Sequence, residues 1–104
     1  MRNPFDYTTS EILKSELDAI HEALEKQKIS FSEHAEYEAR TEKISLVNVL
    51  EAVLVGTAVG KDLPGNPLKR IPGINFEHKI ADGRWIRTKV AWVGKYLIIT
   101  VHTI

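Results

Sequence analysis

The chain has 104 residues, 43% hydrophobic and 27% charged, enough for one hydrophobic core and too few for two. It has no cysteine, which excludes disulfides and thiolate metal sites; no apolar run nears the ~18 residues that span a bilayer, and residues 1–20 lack a signal peptide's basic start and apolar core, so a cytoplasmic protein is expected. The net charge is zero, yet residues 1–60 carry 6 Lys/Arg and 11 Asp/Glu while residues 61–104 carry 8 and 3, an acidic half followed by a basic one.

Helix signals fill residues 8–56. Thr8 and Glu11 have the spacing of a capping box, and Leu13, Leu17, Ile20 and Leu24 follow as one helical stripe. That stripe leaves Glu16, Asp18, Glu22 and Glu25 on the outer faces. Ile29-Ser30-Phe31 is short and β-prone. Ser32 can cap a second helix to about Lys43, and Ser45 a third that buries Leu46, Val49, Leu50, Val53 and Leu54 and ends at Gly56. Residues 57–73, with three prolines and three glycines, allow a short edge strand at most and then a loop.

Residues 74–80, 84–93 and 96–104 are rich in β-branched and aromatic side chains and are separated by glycine-containing turns, the pattern of two successive hairpins. The expectation is one α+β domain over residues 1–104: two to three N-terminal helices packed on one face of a C-terminal antiparallel sheet of three to four strands.

Strict alternation of side-chain direction lets a register be derived. A two-residue turn at Gly94-Lys95 pairs Val93 with Tyr96. It turns Ile86, Thr88, Val90 and Trp92 to a core face with Thr103, Val101, Ile99 and Leu97. The opposite face then holds Trp85, Arg87, Lys89, Ala91 and Val93 with Ile104, His102, Thr100, Ile98 and Tyr96. At Ala81-Asp82-Gly83 a two-residue turn would bury Glu77 and Lys79 unpaired, at a cost of several kcal/mol. A three-residue loop with a left-handed Gly83 instead sends Phe76, His78 and Ile80 to the core and sets Glu77 beside Arg87.

The result is a row across three strands: Glu77, Arg87, His102. Internal transphosphorylation of RNA needs a base for the 2′-hydroxyl, an acid for the 5′-oxygen and cations for the phosphorane. Glu77 as base, His102 as acid and Arg87 with Lys89 as phosphate clamp fill those roles, with no cofactor or metal. Arg84 and Thr100 adjoin as further substrate contacts, and Trp85 or Tyr96 can stack a base. The plain alternative is a cross-strand charge cluster contributing a few tenths of a kcal/mol and doing no chemistry. The neutral total charge also differs from that of most dedicated nucleic-acid binders, which are basic overall.

Among the remaining histidines, His34 is expected to decorate the second helix near Glu33 and Glu38, or else to join the site with Arg40. His21 is expected in solvent and His78 on the core side. The four histidines lack metal-ligand spacing, and no phosphate-cradling glycine loop occurs.

The stretch ISFSEHAEYEARTEKISLVNVLEAVLVG and the ending DGRWIRTKVAWVGKYLIITVHTI resemble domain-of-unknown-function family 4258. His34-Ala35, Ile44-Ser45 and Thr100-Val101-His102 keep that family's spacing; where it has an arginine this chain has Glu38, with Arg40 two residues on. The resemblance covers residues 29–104 and leaves the first helix, within residues 1–28, as an addition. It implies a RelE- and barnase-like small-toxin architecture, an RNA substrate and a toxin–antitoxin partnership. A non-catalytic interaction module, homodimeric through the sheet face or the Pro/Gly loop, or an inactive toxin relative are the competing expectations; the module predicts an apolar patch of Trp85, Ile98 and Ile104.

Overall fold

Local chemistry fixes where the helices start. A computed structural model describes residues 3–65 and 71–104; residues 66–70 of the predicted Pro/Gly loop lie outside the described residues. In it Ser32 and Ser45 accept the backbone N–H groups of Ala35 and Asn48, at 3.0 and 3.1 Å, and so cap α2 (Glu33–Thr41) and α3 (Leu46–Val55) as expected. The first helix differs. Thr8 turns back onto Asp6, and α1 (Lys14–Glu25) begins five residues later than a Thr8 cap would place it. There Glu16 receives the N–H of Leu13, half of a capping box whose other half leucine cannot supply.

Glu16 is also not on an outer face. It is 1% exposed, and its carboxylate meets Lys61 Nζ at 2.9 Å while accepting the N–H of Asp6. Lys61 in turn donates to the Asp6 carbonyl, so the pair ties the N-terminal arm to the sheet. Helical periodicity places Glu16 on an outer face because its partner, Lys61, lies far along the chain.

Among the described residues five strands form one mixed sheet in the order β1-β5-β4-β3-β2, rather than three or four antiparallel ones. They are β1 (Ile29–Phe31), β2 (Thr57–Asp62), β3 (Gly73–Lys79), β4 (Trp85–Trp92) and β5 (Tyr96–Thr103). β1 runs parallel to β5, and β2 is a full six-residue strand on β3 with a bulge between Ala58 and Gly60. The short apolar triplet becomes a strand because β5 offers it a free edge.

Helix α3 lies over β3 and β4, α2 packs on β5, and α1 packs on α3. Ile74, Phe76, Ile86, Val90 and Val101 meet Val49, Ala52 and Val53 of α3 and Ala35 and Ala39 of α2 in one core. Leu46 and Leu54, expected inside, are 38% and 53% exposed; Ala52 takes that buried position instead. Gly56 closes α3 with an extended φ of −73°, and its need for glycine is steric: a Cβ would lie 2.2 Å from the Ala52 carbonyl oxygen.

Both hairpin turns have their glycines at positive φ, Gly83 at 94° and Gly94 at 86°. The first is the three-residue loop expected, and Glu77 pairs with Arg87. The second is not the two-residue turn expected: Trp92 pairs with Tyr96 around Val93-Gly94-Lys95. A bulge between Lys89 and Val90, with Ile99 as the extra residue of β5, then restores the register, so Arg87 still faces His102 and Lys89 still faces Thr100. Toward the turn the faces exchange. Ile98 and Tyr96 join the core side instead of the basic face.

Candidate functional site

The face of the sheet away from the helices carries the predicted row. Directly paired residues share a face, so Thr57, Glu77, Arg87 and His102 line up across β2, β3, β4 and β5. Arg87 donates from Nε to Glu77 Oε2 at 2.8 Å and from Nη2 to the same oxygen. Glu77 Oε1 and the His102 ring make no hydrogen bond to a described residue. With two interstrand spacings of roughly 4.8 Å between them, Glu77 and His102 stand about 10 Å apart at Cα, room for a phosphodiester over Arg87.

A polar groove of about 480 Å³ opens beside the row, lined by Arg87, His102, Lys89, Thr100, Asn75, Asp62, Gly60 and Val59. Gly60 offers no Cβ there, and open space surrounds the place one would occupy. The contribution of β2 goes beyond the short edge strand that the prolines and glycines of residues 57–73 suggest, and Asn75 joins from β3, two residues from Glu77 on the same face. The alternation of Gly60 with Asp62 was the available signal.

Lys89 is placed differently from a free phosphate clamp. It is 7% exposed, with Nζ 2.7 Å from Asp62 Oδ2 and donating to the Ile71 carbonyl at 2.9 Å. Asn75 binds the same Asp62 oxygen. Burying this lysine without its carboxylate would be costly, which is why the two occur together. Lys89 therefore shapes the groove wall.

The structure does not bring four of the other named residues to the open face of the sheet. Tyr96 sits on the core side against Phe5 and Trp92, ring centroids 6.0 and 5.0 Å away. Arg84 grips Asp82 and donates to the carbonyls of Glu42 and Lys43, closing the end of α2. That hydrogen bond from Arg84 holds the Asp82 carboxyl below the usual carboxylate range. His34 lies 3.4 Å from Glu38 on exposed α2, and Arg40 lines a cleft with Ser45 and Leu46 on the helical side. Trp85 does reach the open face, 49% exposed and bonded through its carbonyl to Ile104.

Glu38 has a structural task on α2. It accepts the N–H of Val101, and Glu42 one turn later accepts the Thr103 hydroxyl, so α2 covers the edge of β5 beyond β1. Two histidines also have core-side partners: His78 meets Glu51 at 2.8 Å as an edge histidine, and His21, expected in solvent, meets the Val53 carbonyl at 3.1 Å.

Among the described residues no three His or carboxylate groups gather as a metal site, and no helix is long and apolar enough to cross a membrane. No family model, curated protein or solved structure matches the chain.

Proposed function

We propose that the open sheet face binds and cleaves RNA by metal-independent transphosphorylation, in the manner of a RelE- or barnase-like toxin. The observation that supports this most is the Glu77–Arg87–His102 row, of which Arg87 and His102 line a polar groove and Glu77 stands behind Arg87. Glu77, through the Oε1 that takes no hydrogen bond from a described residue, takes the 2′-hydroxyl proton; the 2′-oxygen attacks phosphorus. Arg87 stabilises the charge that develops on the equatorial oxygens. Protonated His102 donates to the departing 5′-oxygen, leaving a 2′,3′-cyclic phosphate and a 5′-hydroxyl. Trp85, one register step along, stacks a flanking base. The substrate is cytoplasmic RNA, and an antitoxin that covers this face would restrain the activity.

The test is incubation of single-stranded RNA with purified protein in EDTA, scored for cyclic-phosphate ends. Glu77→Gln and His102→Ala should each lower the rate by roughly 10²–10⁴ while keeping the wild-type melting curve. Absence of cleavage by the wild type, or full cleavage by His102→Ala, rejects the reading. One observation favours a non-catalytic face instead: Arg87 and Lys89 are each already matched by a carboxylate, Glu77 and Asp62. Against an apolar docking face stands Ile98, which is fully buried on the other side of the sheet, away from Trp85 and Ile104.

A further inference from the structure

A second pocket lies far from the groove, where the β4–β5 turn meets the end of α1. Its volume is about 360 Å³, and its wall includes Trp92 and Tyr96, with Pro4 and Ala19 beside them. Trp92 is half-buried and meets Tyr96 edge-to-face at 73°, an arrangement that leaves aromatic surface uncovered. Three lysines line it, Lys26, Lys28 and Lys95, against one carboxylate, Glu22. Glu22 is engaged by Lys26 at 2.6 Å, whereas Lys28 and Lys95 are exposed and make no ion pair with a described residue. Tyr96 is 8% exposed and its hydroxyl makes no hydrogen bond to a described residue. Because no fully buried side-chain oxygen among the described residues is left without a partner, that hydroxyl borders space a ligand can enter.

We infer that this pocket binds a nucleotide, the base against Trp92 and the phosphate between Lys28 and Lys95. An aromatic wall accepts the π-face of any base, and two exposed cations, Lys28 near Glu22 but in no ion pair with it and Lys95 in none with a described residue, supply the phosphate contact. The Tyr96 hydroxyl is placed to give or accept one further hydrogen bond. Gly94, at a φ of 86° with open space where a Cβ would stand, keeps the turn from closing the entrance. The site is independent of the sheet groove, since Trp92 and Tyr96 belong to the opposite face.

The probe is adenosine monophosphate, titrated into the full chain carrying Trp85→Phe, which leaves Trp92 as the single tryptophan. Saturable quenching of Trp92 emission is expected. Adenosine should bind about tenfold more weakly, and Lys28→Gln with Lys95→Gln should lower the affinity for the monophosphate to that of adenosine. His102→Ala, added as a control, should leave the binding unchanged and so separates this site from the proposed RNA face. The proposal is overturned by an absence of saturable quenching up to about 10 mM, by equal affinity for adenosine and the monophosphate, or by unchanged affinity in a double lysine variant that melts like the parent.

Discussion

Two carboxylate–cation pairs in this molecule use the same chemistry to opposite ends. Glu16 and Lys61 are at most 1% exposed at their side chains, whereas Glu77 and Arg87 are 21% and 41% exposed. In the first, both Glu16 oxygens and Lys61 have further backbone partners at Asp6 and Leu13. In the second, one oxygen of Glu77 takes both Arg87 bonds and the other takes none from a described residue. Saturation and burial make the first pair a fixed strut. Incomplete bonding and access to solvent leave the second pair open on one side.

The largest effect should come from breaking the strut. Lys61→Met leaves a buried carboxylate without its cation and should cost about 3–5 kcal/mol in urea unfolding. Glu16→Leu combined with Lys61→Met removes both charges and should recover most of that loss. A double variant as unstable as the single one would show that the Asp6 and Leu13 contacts, not the charges, hold the arm.

Next in size is the β5 edge. Glu38→Ala strands the Val101 N–H and should cost about 1 kcal/mol, with more self-association by sedimentation as the edge is uncovered. The open-face pair should matter less to stability than either. Arg87→Ala should change the unfolding free energy by about 1 kcal/mol or less, as expected of a solvent-screened pair. On the proposed function its effect on RNA cleavage should be far larger, and that separation of stability from activity would distinguish a working pair from a strut. Loss of several kcal/mol in Arg87→Ala would erase the contrast.

The contrast was partly legible in the sequence. The β3–β4–β5 meander and the Glu77–Arg87–His102 row followed from alternation and from the cost of burying Glu77 and Lys79. The second pairing was reached through a turn one residue too short, which the bulge at Ile99 compensates. Nothing in alternation announces a bulge, so alternation alone puts Tyr96 and Ile98 on the open face, whereas they belong to the core. The Glu16–Lys61 strut was not legible, since periodicity reports which face of a helix is apolar, not that a lysine forty-five positions on will meet a carboxylate there. The same limit hid the role of Arg84, whose partners at Glu42 and Lys43 come together only when α2 docks on β5.

Arg84 also sets the smallest effect, on the acid side of the stability profile. Its side chain lowers the Asp82 carboxyl pKa in the fold, and Thr8 does the same for Asp6. A folded pKa below the unfolded value of about 3.9 means that each contribution is complete above that value. It is lost as the pH falls through the folded pKa, because protonation then removes the acceptor charge. Asp82→Asn should therefore lose less stability than the wild type between pH 7 and pH 3 in urea titrations, while Glu16→Leu with Lys61→Met should leave the Asp82 contribution intact. Both groups sit at the surface, so raising the salt concentration should shrink the difference. Equal acid sensitivity in wild type and Asp82→Asn would mean that Arg84 holds the end of α2 through the Glu42 and Lys43 carbonyls alone.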